Sequence, residues 1–124
     1  MVSQGRAKRV AQRIKEELSE LLLFGVSDPR LEGVYVTTVR VDREMAYANI
    51  FVSAVEGALR KDEILEGFNH ASGYLRSQLA RKVQLRYFPR LRFNWDPSPE
   101  HVEHIEELFN SLDKEKEDGI SPDE

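Results

Sequence analysis

The apolar positions of the chain follow two periods. From Arg6 to about Leu23, Val10, Ile14, Leu18, Leu21 and Leu22 recur at three- and four-residue spacing, the stripe of an amphipathic helix. Ser3 is placed to cap its start and Gly25 to end it, and Ser27-Asp28-Pro29-Arg30 reads as a turn. The period then drops to two. A Val- and Thr-rich strand runs from about Val34 to Val41, but its parity changes partway. Val34 and Val36 share one face, whereas Val39 and Val41 share the other. A one-residue slip inverts every side chain in such a pattern, so a bulge near Thr37-Thr38 is needed to reconcile them. Asp42-Arg43-Glu44-Met45 is the hairpin connection. The second strand, about Ala46 to Val55, carries Ala48, Ile50 and Val52 on one face and Tyr47 and Phe51 on the other.

Gly57 breaks this pattern. Asp62 is positioned as the cap of a second helix, about Glu63 to Ala71, and a further helical run covers about Tyr74 to Val83 with Leu75, Leu79 and Val83. Between them lies Ala71-Ser72-Gly73. Glycine in a helix interior costs about 1 kcal/mol relative to alanine, so this tripeptide is expected to mark a kink or a tight junction. A third strand, about Arg90 to Trp95, is entered through Pro89. Leu91, Phe93 and Trp95 should face the core, and Arg92 and Asn94 should face out. Ser98-Pro99-Glu100 then opens a last helix, with serine as the cap and proline at the first helical position. Its stripe is Val102, Ile105, Leu108, Phe109 and Leu112. The order is α-β-β-α-α-β with an extra C-terminal helix, which predicts a two-layer α+β domain: a three-stranded sheet with helices on one face. Residues 1–112 form this domain, and residues 113–124 are expected to be an acidic, disordered tail.

A length of 124 residues fits a single domain. The absence of cysteine excludes disulfides, thiolate metal sites and cysteine nucleophiles, and points to a reducing, cytoplasmic setting. The longest apolar run, Leu21 to Phe24, is far short of the roughly 20 residues that cross a bilayer, and no membrane partner is expected. The net charge of −4 hides an asymmetry. Residues 1–97 carry 16 Lys+Arg against 12 Asp+Glu, whereas residues 98–124 carry 2 against 10. A basic body with an acidic tail is a pattern associated with nucleic-acid partners.

No catalytic constellation appears. There is no glycine-rich phosphate loop and no nucleophile motif, so the chain is read as a non-enzyme with no small-molecule substrate. His101 and His104 stand three apart among glutamates with no cysteine nearby. They read as exposed polar residues, and neither a metal nor a cofactor is expected. RNA binding has better material. Arg6, Arg9 and Arg13 form a basic stripe beside the apolar face of the first helix, with Lys8 nearby. Arg76, Arg81, Lys82 and Arg86 flank the later helical run, and Arg90 and Arg92 follow. Guanidinium groups suit phosphate because they are planar, always charged and able to donate two parallel hydrogen bonds. The same charges also serve as an ordinary solvated surface. Small residues at Ala71-Ser72-Gly73 let either an RNA backbone or a second helix come close, and the pattern alone leaves both open.

Taken in order, several segments resemble the ribosome-binding factor A family. They are Arg9-Val10, Asp28-Pro29-Arg30-Leu31, the Val/Thr strand ending in Val41, and Tyr47-Ala48-Asn49-Ile50-Phe51-Val52-Ser53. Then come Ala71-Ser72-Gly73-Tyr74-Leu75-Arg76 with Leu79, and Leu85-Arg86-Tyr87-Phe88-Pro89-Arg90-Leu91-Arg92-Phe93. The set spans about residues 6–112. The resemblance implies a KH-like domain of type II topology, in which an Ala-x-Gly signature, matched by Ala71-Ser72-Gly73, stands at the interhelical kink. It further implies a cytoplasmic, monomeric factor without cofactor. Such a factor binds the small ribosomal subunit and its rRNA near the decoding region during late maturation, supports growth in the cold and leaves before translation begins. The RNA-binding residues expected are Arg6, Lys8, Arg9, Arg13, Ala71, Ser72, Gly73, Arg76, Arg81, Lys82, Arg86 and Arg90. The competing readings are another KH-type RNA-binding regulator and a protein-interaction module that uses the acidic tail.

Overall fold

Helix α1 (Gln4–Phe24) lays Val10, Ile14 and Leu18 into the core and ends where the Gly25 N–H reaches the Leu21 carbonyl at 2.8 Å. The computed structural model describes residues 4–101 and 108–110; Ser3, expected as the cap of α1, lies outside them. A 3-10 turn, Pro29–Leu31, follows. Asp28 caps it by accepting the Arg30 backbone N–H at 2.9 Å, and the same carboxylate accepts the Arg30 guanidinium at 2.9 and 3.2 Å. These hydrogen bonds from Arg30 hold the Asp28 carboxyl below its ordinary pKa.

Strands β1 (Val34–Val41) and β2 (Tyr47–Ala54) form an antiparallel hairpin. The register shifts between Val36 and Thr38, so the bulge lies where the valine parity requires it. Val34 and Val36 are buried, and Val39 and Val41 pack against the same core. Met45 closes the hairpin turn at φ 58°, its N–H donating to the Asp42 carbonyl at 2.9 Å. Gly57, at φ 82°, supplies the left-handed residue that turns the chain out of β2.

A second 3-10 turn, Ala58–Arg60, feeds directly into α2 (Lys61–Lys82). Two expectations change here. Asp62 is not the cap but a first-turn residue, where its charge suits the helix N-terminus. The two expected helices are one, with Ala71-Ser72-Gly73 in its interior. The reason is phase: Ile64, Phe68, Leu75 and Leu79, all fully buried, form a single stripe that continues across the tripeptide.

Strand β3 (Arg90–Trp95) pairs with β2 in parallel, giving the sheet order β1-β2-β3 with α2 as the crossover. Leu91, Phe93 and Trp95 are half-buried against the core, and the Phe68 and Phe93 rings stack with centroids 4.5 Å apart. α1 and α2 cover one sheet face. The helix after β3 begins one residue earlier than expected. The Pro97 carbonyl takes the His101 N–H, while Asp96 accepts both the Ser98 N–H at 2.9 Å and its hydroxyl at 2.7 Å. A carboxylate is the stronger acceptor at a helix N-terminus, so Asp96 replaces Ser98 in the capping role. Residues 98–101 and 108–110 are helical. The remaining stripe positions Val102, Ile105 and Leu112, with His104 and the tail, lie outside the described residues.

Candidate nucleic-acid interface

Two helices bring the basic residues together. α1 and α2 run antiparallel: the Arg13 guanidinium donates to the Lys82 carbonyl at 3.0 Å, and the Tyr74 hydroxyl lies 3.4 Å from the Gly25 carbonyl at the other end. The start of α1 therefore lies against the end of α2. Between them is an open cleft of about 390 Å³ lined by Arg6, Arg9, Val10, Arg13, Lys82, Val83, Gln84 and Leu85. A second hollow of about 260 Å³ shares Arg6 and Leu85 with it and adds Arg86, Tyr87, Met45 and Glu44. Arg6, Arg9, Arg13, Lys82 and Arg86 thus converge on one end of the helical layer, although some seventy residues separate them in the chain.

The electrostatics favour an anion there. Residues 67–95 contain six Lys+Arg and no Asp or Glu. Arg13 is 3.5 Å from Glu17, one helical turn away, and also ties down the end of α2. Among the described residues, Arg9, Arg81 and Lys82 are exposed and have no carboxylate partner. The last turn of α2 adds the partial negative charge of a helix C-terminus. The Arg13 guanidinium on the Lys82 carbonyl offsets it.

Gly73 lies about 14 Å along α2 from Lys82, on the exposed side. Among the described residues, a Cβ built on Gly73 would meet no neighbour within 4 Å. Close helix packing is therefore not what this glycine provides. That task belongs to Gly67, which the sequence patterns did not single out: a Cβ there would stand 3.2 Å from Arg30 Cβ and from Leu31 Cδ2. Gly67 lets α2 settle against the Pro29–Leu31 turn, whereas Gly73 leaves the outer surface of α2 open. Ala71 and Ser72 are half-buried, and Gly73, Ser77 and Ala80 follow one another along the exposed side, with Arg81 beside them.

Three expected site residues stand apart. Lys8 lies about 100–160° around α1 from Arg6, Arg9 and Arg13 at 3.6 residues per turn, and does not line the cleft. Arg76 is occupied within the fold. Its Nε donates to the Pro89 carbonyl at 3.1 Å and its Nη2 to the Phe88 carbonyl at 2.7 Å, with the guanidinium 6.0 Å from the Phe88 ring centre. It holds the 86–90 segment in place rather than projecting freely. Arg90 pairs with Tyr47 in β2 and alternates with the core-facing Leu91, so it belongs to the sheet face opposite the helices.

Comparison with known proteins gives the family. The family model for ribosome-binding factor A matches residues 6–109. Ribosome-binding factor A of Thiobacillus denitrificans is 43% identical over 106 residues, covering 86% of each chain. The crystal structure of ribosome-binding factor A from Thermus thermophilus superposes with a TM-score of 0.65 at 27% identity, over 72% of this chain and 93% of that one. A Thermus thermophilus homology model fitted into the cryo-electron-microscopy map of a 30S complex of that factor gives a TM-score of 0.56 at 29% identity, covering 67% and 87%. The three-stranded sheet with its helical layer is the KH-like fold of these neighbours. With its matched span, its identity to relatives and its fold in agreement, this chain belongs to the ribosome-binding factor A family.

Proposed function

We propose that this protein binds the small ribosomal subunit through its rRNA and assists late maturation of that RNA without covalent chemistry. The observation that carries the proposal is the convergence of Arg6, Arg9, Arg13 and Lys82 around one open cleft between two helices. The open Gly73 surface extends the interface along α2, with Arg81 and Arg86 as further phosphate contacts and Ala71 and Ser72 shaping the approach. Lys8 adds charge from the far flank of α1. Arg76 acts by positioning the segment that carries Arg86 and leads into β3 at Arg90. The family relationship and the neighbour fitted into a 30S complex support the choice of partner.

The mechanism is selective binding. A rigid basic surface that fits one conformation of immature rRNA better than others shifts the RNA ensemble toward that conformation. Such a factor works as a cytoplasmic monomer, needs no cofactor, metal or small-molecule substrate, and has no role at a membrane. Growth in the cold is where it should matter most, because misfolded RNA escapes its traps more slowly there. The test is co-sedimentation of the purified protein with purified ribosomal subunits at low and moderate salt. Salt-sensitive binding to the small subunit and none to the large one is expected. No binding to the small subunit at low salt overturns the proposal.

A further inference from the structure

The sheet face away from the helices carries a second, independent cluster of cations. Strand register places its side chains in rows. Arg40 of β1, Asn49 of β2 and Arg92 of β3 lie abreast across the middle. Tyr47 and Arg90 form the next row, and Thr38, Phe51 and Asn94 the row on the other side. The Arg92 guanidinium stacks on the Tyr47 ring, 3.5 Å from its centre, and the Arg40 guanidinium is 5.8 Å from the Phe51 ring centre. Arg40, Arg90 and Arg92 are exposed. Beyond the ring contacts, Arg40 and Arg92 make no side-chain hydrogen bond or ion pair among the described residues.

The acids of this face lie at its two ends and are engaged. Asp42 accepts the Tyr47 N–H at 2.8 Å, and Asp96 takes the Thr37 hydroxyl at 2.5 Å together with Ser98. The middle of the sheet is therefore cationic, aromatic and amide-bearing at once.

We infer that this outer sheet face is a second RNA-binding surface, which takes a single-stranded segment on the Arg40–Asn49–Arg92 row. The argument is chemical. A guanidinium held flat on a ring by one face offers its other face as a platform, and unpaired bases stack on guanidinium planes and aromatic rings. Its N–H groups remain free to donate to phosphate. Asn49, between the two arginines, is placed to hydrogen-bond a base edge. An acidic peptide would need the charges but has no use for the stacked rings. The choice of RNA rests on the proposed rRNA partner, but the surface shares no residue with the helical cleft, and register assigns Arg90 to the sheet face. With one RNA element on the helical layer and another on the sheet, the domain would act as a spacer that fixes two RNA segments relative to each other.

Two measurements on the full chain with purified small subunits test this. A benzoyl-phenylalanine photo-crosslinker is placed at Asn49 in one variant and at Ser77, on the exposed side of α2, in another. Separately, Arg40→Gln/Arg92→Gln is assayed for salt dependence. The expected results are rRNA crosslinks from both positions, to different nucleotides. The double variant should lower the slope of log K against log salt by about 1.4, at about 0.7 per single-strand phosphate. Its affinity loss between 50 and 200 mM salt would then be about sevenfold smaller than that of the unaltered protein. Crosslinks from Asn49 only to a ribosomal protein or to this chain's own acidic segment, or an unchanged slope, overturn the inference. If Ser77 still crosslinks to rRNA, the proposed function stands while the second surface falls; if neither position does, the RNA reading itself falls.

Discussion

Gly73→Ala should make the protein more stable and bind worse. Gly73 has helical geometry in the interior of a 22-residue helix and no positive φ, so alanine fits its backbone. No neighbour among the described residues lies within 4 Å of the added methyl group. The gain is then the difference in helix propensity, about 1 kcal/mol. In a domain of about 100 residues this raises Tm by about 4–8 °C. Gly67→Ala is the control. It has the same propensity to gain, but its methyl group would press on Arg30 Cβ and Leu31 Cδ2 at 3.2 Å, and overpacking costs about 1–3 kcal/mol. It should be the less stable of the two. If RNA backbone approaches α2 at Gly73, a methyl group there obstructs contact directly, and affinity for the small subunit should fall about tenfold, or about 1.4 kcal/mol. Thermal unfolding by circular dichroism and co-sedimentation at fixed salt measure the two effects. A stabilised variant with unchanged affinity would remove Gly73 from the interface. A destabilised variant would refute the claim that its missing Cβ has no use within the fold.

Arg76→Ala leaves the buried Pro89 carbonyl without its donor and should cost about 2 kcal/mol in chemical denaturation, with an unchanged salt slope of binding; a slope lower by about 0.7 would make Arg76 a phosphate contact after all. Asp96→Asn tests a pH effect. Hydrogen bonds from Thr37 and then Ser98 hold the Asp96 carboxyl below its ordinary value of 3.8. Its stabilisation is therefore full above that value and is lost as pH falls through the lower native one, so Tm of the variant should decline less steeply below about pH 4. An equal decline would mean the carboxyl is unperturbed. Ser53→Ala removes a fully buried hydroxyl that has no hydrogen-bond partner among the described residues, and should raise stability by about 1 kcal/mol; a loss of stability would point to a partner for it. Deleting residues 113–124 removes six acids and two lysines, and binding to the small subunit at low salt should hold or strengthen. Loss of binding would favour an acidic-tail interaction module.

The fold is legible wherever side-chain period alone determines structure. The parity change between Val36 and Val39 locates the bulge, because every valine of β1 has to reach one core. A division of α2 at Gly73 does not hold, because the phase of Ile64, Phe68, Leu75 and Leu79 runs unbroken and outweighs one glycine. Cap positions move where a stronger or nearer acceptor intervenes, as Asp96 does for Ser98. For the site, nearness in the chain misleads. Lys8 is next to Arg9 in sequence but on another flank of α1, and Arg90 is close to Arg86 yet on the other sheet face. Arg76 is unreadable for a different reason: its partners are the backbone carbonyls of Phe88 and Pro89, and a carbonyl leaves no mark in a sequence. Gly67 and Gly73 look alike as letters and differ only in what surrounds them.

This contrast separates the arginines into those that build the fold and those left over. Arg30 binds Asp28, Arg60 reaches the carbonyls of Arg30 and Glu32, and Arg76 secures the entry to β3. Each spends two or more of its donors inside the fold, and a donor already spent contributes little to a phosphate contact. Arg9, Arg81 and Lys82 on the helical layer, and Arg40 and Arg92 on the sheet, are among the cations whose hydrogen-bonding capacity the described fold does not use. Salt dependence counts phosphates neutralised, not arginines present. Variants in the second group should therefore lower the salt slope at constant Tm, and variants in the first should lower Tm at nearly constant slope. That division, not the total of basic residues, would define the proposed interface, and it reconciles a net charge of −4 with the RNA-binding surfaces proposed above.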